Sequence, residues 1–245
     1  MQMDNAPLPS RQCDLDWHPA ALTPDYKSTR LRAPSKPLVM LPDFAKDASG
    51  PMFGHDILGP QDDNLVCNYA APGQTALGPR IVVHGHVLDE FGRGVPNTLL
   101  EIWQANAGGR YRHLNDTYMA PLDPNFGGCG RTLTNASGWY RFLTIQPAAY
   151  PWPNHENAWR PMHIHFSVFG HAFAQRLITQ MYFEGDPLIG SCPIVGTLQD
   201  PRAIEQLTAR LDIQNATSMD HLAYRFDIVL RGRRSTLFSN HPEDN

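Results

Sequence analysis

Two histidines one residue apart, His163 and His165, sit in the segment Arg160-Pro-Met-His-Ile-His-Phe-Ser-Val168. In a strand, residues i and i+2 project to the same face, so the two imidazoles would stand together, one pleat apart. Their neighbours alternate with them. Met162, Ile164, Phe166 and Val168 form an apolar face, and His163, His165 and Ser167 a polar one. Two neutral imidazoles so placed can share a metal ion, but the pair does not name the metal. Two tyrosines upstream narrow the choice. Tyr111 lies in Asn106-Ala-Gly-Gly-Arg-Tyr-Arg-His113 and Tyr150 in Gln146-Pro-Ala-Ala-Tyr-Pro-Trp-Pro153. Both contexts read as loops, and the prolines around Tyr150 speak against a place in a strand ladder. With the histidines, the tyrosines would complete a set of two neutral nitrogens and two anionic oxygens. A free phenol titrates near about pH 10, so holding it ionised takes a strong Lewis acid. Ferric iron suits hard anionic oxygens together with imidazole, whereas zinc favours Cys, His or carboxylate. Fe(III) with two tyrosinates and one hydroxide is neutral overall, which lowers the cost of burying it.

Other arrangements compete on spacing alone. His84-Gly-His86 is a second His-x-His on a predicted strand, flanked by Val82 and Leu88 on its own face, and reads as structural or surface histidines. His113, beside Tyr111, and His155-Glu156 are further candidate ligands. An Fe(II) site of His163, His165 and one carboxylate, Glu184 or Asp227, also fits the spacing. The segment Phe126-Gly-Gly-Cys-Gly130 reads as a structural turn rather than a nucleophile. Gly-rich phosphate loops, Gly-x-Ser-x-Gly elbows and His-Glu-x-x-His motifs do not occur.

The elements that must position these residues are mainly strands. Short β-branched or apolar runs cover Ile81 to Leu88, Thr98 to Trp103, Thr132 to Thr134, Trp139 to Ile145, Met162 to Phe169, Leu177 to Phe183 and Leu222 to Leu230. Turn-rich stretches separate them, including Asp89 to Gly94 and the hairpin candidate Asn135-Ala-Ser-Gly138. This pattern predicts an all-β fold, a β-sandwich with a few short helices. One helix is expected from Asp200 as N-cap and Pro201 at its first position, with Ile204, Leu207 and Leu211 as its apolar stripe. Half of the 22 prolines fall within residues 1–79, so this part reads as an irregular arm and 80–245 as the sandwich domain. Trp17, Tyr26, Phe44, Phe53 and Tyr69 are costly to leave in water, so the arm is expected to pack on the domain or on a partner.

Composition excludes several classes. A chain of 245 residues with 42% hydrophobic and 18% charged residues suits one large globular domain. The net charge of -4 gives no pull toward nucleic acid or anionic membrane. No apolar run approaches the roughly 18 residues needed to span a bilayer, and no signal peptide is read at the amino terminus. Cys13, Cys67, Cys129 and Cys192 are scattered without a Cys-x-x-Cys spacing, which fits reduced thiols and a cytoplasmic setting.

Several long motifs resemble the intradiol ring-cleaving dioxygenases. They are Glu101-Ile-Trp-Gln-Ala-Asn-Ala-Gly-Gly-Arg-Tyr111, Pro121-Leu-Asp-Pro-Asn-Phe-Gly-Gly128, Tyr150-Pro-Trp152 and Trp159-Arg-Pro-Met-His-Ile-His-Phe166. The similarity runs from Trp17-His-Pro and Leu22-Thr-Pro-Asp-Tyr-Lys27 to Tyr224-Arg-Phe-Asp-Ile-Val-Leu-Arg231, nearly the whole chain, and is greatest to members acting on protocatechuate. The resemblance implies a non-haem Fe(III) held by Tyr111, Tyr150, His163 and His165, with Tyr150 and His163 axial. It implies cleavage of protocatechuate by O2 to 3-carboxy-cis,cis-muconate, within the β-ketoadipate pathway of aromatic catabolism. Tyr150 would be displaced by substrate and act as an internal base, and Arg160 would stabilise negative charge building on the ring. Trp152, Gln180, Tyr182 and Ile194 would line the substrate site, and Tyr26, with Arg32 as a second candidate, would meet the substrate carboxylate. Pro153 stands where relatives can carry a basic residue. The resemblance further implies a homologous α chain, forming αβ units in a larger assembly with the active site near their interface.

Overall fold

The structure is a computed structural model that describes residues 17–19, 23, 57–153, 155–156, 158–169, 176–230 and 235–237. Its strands form two layers. In the first, β1 (Arg80–Leu88) lies antiparallel to β4 (Trp139–Ile145) and parallel to β10 (His221–Arg225) and β11 (Ile228–Val229). In the second, β3 (Cys129–Leu133), β2 (Leu99–Trp103), β7 (His163–Phe169) and β8 (Arg176–Phe183) follow one another antiparallel. The strand β9 (Thr208–Leu211) joins the layers. Its first two residues pair with Tyr182 and Phe183 of β8, its last two with Tyr224 and Arg225 of β10. A separate two-stranded ribbon is made by β5 (Tyr150–Trp152) and β6 (Ala158–Arg160). The β-sandwich expected from the strand pattern is the fold observed. Among the described residues, no helix is long and apolar enough to cross a membrane.

The core sits between the layers and is built by strand alternation. Ile164, Phe166 and Val168 of β7 are fully buried on the inner face, and partly buried Met162 packs against the same cluster just before the strand. Phe166 is the centre: its ring meets those of Phe226, Phe142 and Tyr140 in the opposite layer at 5.3, 5.8 and 6.2 Å. Truncating such a ring to alanine typically costs about 3–5 kcal/mol. The last part of the proline-rich arm enters this core. Leu65, Val66 and Ala76 are buried in it, and the Leu65 amide donates to the carbonyl of Leu143. Gly130 permits the approach, because a Cβ there would stand 2.3 Å from Leu65 Cδ1 and 2.7 Å from the Asp62 carbonyl. Trp17, from the start of the arm, is buried in a second cluster with Tyr182, Val195 and Leu207 and donates its indole N–H to the Ser235 carbonyl.

Three expectations are corrected. The helix α1 covers only Pro201–Gln206, with Asp200 capping it by accepting from the Arg202 amide. Beyond Leu207 the chain becomes β9, because open edges of β8 and β10 offer hydrogen bonds: the Tyr182 amide to Leu207 O, the Glu184 amide to Ala209 O and the Asp212 amide to Ala223 O. Leu211 is thus a strand residue rather than the end of a helical stripe. The Asn135–Gly138 turn forms, with Asn135 Oδ1 accepting from the amides of Ser137 and Trp139, but it is not a hairpin. β3 pairs with β2 and β4 with β1, so this turn is an arch between layers, which lets both flanking strands bury an inner face. Finally, Leu222 to Leu230 is two strands, interrupted where the Phe226 amide turns to His84 O and Asp227 accepts from the His86 amide.

Candidate metal centre

The outer face of the second layer carries the polar half of the alternation. The register sets His163 opposite Tyr182 and His165 opposite both Gln180 and Trp103, so side chains from β2, β7 and β8 share one face. This face is covered: His163, His165, Gln180 and Tyr182 are all buried. Trp103 stacks on the His165 ring, centroids 4.8 Å apart and 6° from parallel, fixing its tilt.

His163 and His165 present Nε2 to the tyrosines. Tyr111 Oη lies 3.0 Å from His165 Nε2 and 3.3 Å from His163 Nε2, and Tyr150 Oη lies 3.4 Å from His163 Nε2. The tautomer of His163 follows from its other nitrogen. Nδ1 is 2.6 Å from the Pro161 carbonyl, which can only accept, so Nδ1 carries the proton and Nε2 keeps a lone pair for a ligand. Donors bound to one ion at about 2.0–2.1 Å stand about 2.9 Å apart at right angles and about 3.6 Å apart at 120°. The observed spacings fall inside that window, and the donor set of two imidazoles and two phenols fits a hard trivalent cation.

The two tyrosines arrive from separate segments held against each other, Tyr111 from the loop after β2 and Tyr150 from the start of β5. Asn106 Oδ1 accepts from the amides of Gly108 and Arg110, and its carbonyl accepts from the Ala148 amide in the segment leading to Tyr150. Gly109, at φ +80°, lets the loops touch, because a Cβ would stand 2.6 Å from Ala149 O and 3.2 Å from Tyr150 Cβ. Arg110 binds the carbonyls of Asp116, Tyr118 and Ala120, and the Tyr111 amide donates to Asp116 Oδ2 at 2.7 Å. The result is an edge-to-face Tyr111–Tyr150 pair, 5.5 Å between centroids. Tyr111 is a loop residue as expected. Tyr150 is not: it opens β5 and pairs with Arg160 of β6. A two-stranded ribbon leaves every strand with a free edge, which is where proline is tolerated, so Pro151 does not prevent pairing.

Arg160 is buried, 1% exposed, and donates to Gln180 Oε1, which also accepts from Tyr182 Oη at 3.0 Å. Its guanidinium carbon lies 5.8 Å from the Trp152 ring. Trp152, Arg160, Gln180 and Tyr182 are therefore brought to one neighbourhood around the histidines. Ile194 caps the short helix Val195–Thr197 and packs on the second cluster, which contains Tyr182. Tyr26, Arg32, Phe44 and Phe53 lie outside the described residues. Pro153 is exposed in the turn after Trp152.

Competing candidates fall elsewhere. His113 accepts from the Asn115 amide at an exposed site, and His155 contacts the carbonyl of its neighbour Glu156. Glu184 accepts from the Leu211 amide, and Asp227 pairs with Arg225. Among the described residues no three His, Cys, Asp or Glu side chains gather as a metal site, so the two-histidine, one-carboxylate arrangement does not form there. The sequence reading missed Trp103, although its position off the core face of β2 was available from alternation. It also missed Asp186, whose contact with the Met162 amide has no local sequence signal.

Comparison with known proteins gives the family. A family described as "Dioxygenase" matches residues 48–232, and one described as "Protocatechuate 3,4-dioxygenase beta subunit N terminal" matches 11–43. The chain is 53% identical over 224 residues to the protocatechuate 3,4-dioxygenase β chain of Burkholderia cepacia, covering 90% of this chain and 94% of that one. It is 30% identical to the α chain of the Pseudomonas putida enzyme, covering 82% and 98%. Among solved structures, 3-chlorocatechol 1,2-dioxygenase from Rhodococcus opacus 1CP aligns with a TM-score of 0.53 at 25% identity, covering 76% of this chain and 75% of that one. Fold, converging donors and near full-length similarity to a β chain lead to one conclusion: the chain belongs to the intradiol ring-cleaving dioxygenases.

Proposed function

We propose that this chain cleaves protocatechuate with O2 between its two hydroxyl-bearing carbons, giving 3-carboxy-cis,cis-muconate, at a ferric ion held by Tyr111, Tyr150, His163 and His165. The family is known for non-haem iron. The observation that carries the reading is the convergence of two phenol oxygens on two imidazole nitrogens at 3.0–3.4 Å. When bound, Fe(III) supplies the Lewis acidity that keeps the phenols ionised and makes a catecholate reactive toward O2.

The protein's part is positioning and proton handling. Tyr150 is carried by the two-stranded β5–β6 ribbon rather than by the main sheet, so it can swing away when a catechol arrives. With iron bound, the Tyr150 phenolate would take one catechol proton and a hydroxide the other, so that the substrate dianion would replace two anions without a change in net charge. Arg160 cannot deprotonate, and held on Gln180 it offers a fixed positive charge to the carbanion-like ring. Trp152, Gln180, Tyr182 and Ile194 wall the substrate site, and Tyr26, with Arg32 as the second candidate, meets the substrate carboxylate. The chain acts as the β partner of a homologous α chain in αβ units, supported by its similarity to both chain types. A visible spectrum of the purified, iron-loaded protein tests the reading. Tyrosinate-to-iron charge transfer makes it red-brown, whereas a colourless sample with full iron would overturn the assignment.

A further inference from the structure

His163 is held by a carbonyl that is itself held by a buried charge. Its Nδ1–H donates to Pro161 O at 2.6 Å, and the Met162 amide donates to Asp186 Oδ2 at 2.7 Å. These two groups, the Pro161 carbonyl and the Met162 N–H, are the two ends of one peptide unit. We propose that Asp186 is a positioning residue for the metal centre, acting on His163 through the Pro161–Met162 peptide. The inference rests on the reading of His163 as a metal ligand.

The physical chain has three links. Asp186 is 8% exposed and sits in the turn after β8, where its amide donates to Phe183 O and its Oδ1 accepts from the Leu188 amide at 2.9 Å. A hydrogen bond from an amide to a carboxylate is charge-assisted and stronger than a neutral one. Peptide resonance couples the two ends, so donation to an anion at N–H moves electron density onto the carbonyl oxygen. The Pro161 carbonyl then accepts more strongly from His163, which makes the imidazole a better donor at Nε2 and fixes its rotation. The arrangement is a carboxylate–peptide–histidine relay, comparable in effect to the direct carboxylate–histidine contacts that tune metal ligands elsewhere. It also clamps the segment entering β7 to the turn leaving β8, at the end of the sheet where His163 faces Tyr182.

The test uses the full assembly with iron bound. In Asp186→Asn the weakened relay makes His163 a poorer donor and the metal more electron-poor. The visible band moves to lower energy, and iron release to a chelator becomes about 10-fold faster. Asp186→Glu, which keeps a carboxylate, returns the band most of the way to wild type. A merely structural turn residue would lower the melting temperature while band and release rate stayed within twofold of wild type, and that result would overturn the proposal. Should Asp186→Asn fail to assemble, hydrogen exchange at the Met162 amide of the wild type decides. Exchange within seconds overturns the proposal. Protection lasting hours leaves the Asp186 bond in place, and Asp186→Glu then decides by the same readouts, a residual displacement of the band with faster iron release supporting the relay and wild-type values for both overturning it. A wild type without any visible band would defeat the ferric reading and leave the exchange measurement to judge the relay separately.

Discussion

The chain carries two His-x-His pairs on two strands, one in each layer, and they do different things. On β1, His84 Nε2 lies 3.1 Å from Asp212 and His86 Nδ1 lies 3.8 Å from Asp227, so each imidazole faces a carboxylate. On β7, His163 gives its Nδ1–H to a carbonyl, and both Nε2 atoms face phenol oxygens, that of Tyr111 from the loop after β2 and that of Tyr150 from the start of β5. The i, i+2 spacing puts two rings on one face in both cases. What approaches that face decides the chemistry. A carboxylate beside each imidazole of the first pair gives it a polar neighbour within the fold. Two phenols beside two imidazoles make a donor set that fits the ferric ion proposed above.

The contrast breaks most directly on removal of one ring from each pair. On the proposed ferric reading, His165→Ala is expected to abolish iron binding and visible colour and to lower turnover by at least about 10³-fold, since the metal would supply the chemistry. His84→Ala is expected to keep iron and colour, and iron analysis of both proteins checks this. Loss of iron from the His84 variant would erase the distinction.

Replacing the phenol proposed to be displaced by substrate sharpens what sets the second pair apart. Tyr150→Phe is expected to retain iron while slowing substrate binding by about 10²-fold, the usual worth of a general base. Stopped-flow mixing with protocatechuate reads this, and complete metal loss would argue against a displaceable ligand. Arg160→Gln is expected to keep the iron, the colour and substrate binding but to lower kcat by about 10²-fold, as for loss of one fixed electrostatic stabiliser. Steady-state kinetics separates kcat from KM.

The smallest effect belongs to the first pair. Burial is the main influence on His84 and pushes its pKa below 6.5, with Asp212 and Asp227 opposing and Arg225 assisting. The folded state therefore prefers neutral His84. Its contribution to stability is full above the unfolded value and is lost as the pH falls through the lowered one. Unfolding by urea between about pH 7.5 and 5 should show wild-type stability declining and His84→Gln declining less; identical slopes would remove His84 from the acid response.

Much of the site was legible because it depends on local rules. Alternation in Met162 to Val168 separates core-facing from histidine-bearing positions, and the structure buries Ile164, Phe166 and Val168 as that pattern requires. The same period places Gln180 and Tyr182 together on β8. Leu211 and the Asn135–Gly138 turn failed for a shared reason. A helical stripe and a hairpin turn are local signals, but vacant edges on β8 and β10, and the need to link two layers, lie far away in sequence. Tyr150 in a strand is a similar case, since Ala158 to Arg160 supplied the pairing.

By itself the sequence determined the donor types, the strand period that sets both imidazoles on one face, and the glycines and prolines that shape the tyrosine loops. Only the tertiary structure decided that Tyr111 and Tyr150 reach His163 and His165 while His84 and His86 reach aspartates. It also decided that Trp103 stacks on His165 and that Asp186 grips the peptide beside His163. Cross-strand register and loop contact fix these pairings between residues tens of positions apart. Periodicity fixes which face a side chain takes, but only the folded chain determines what meets it there.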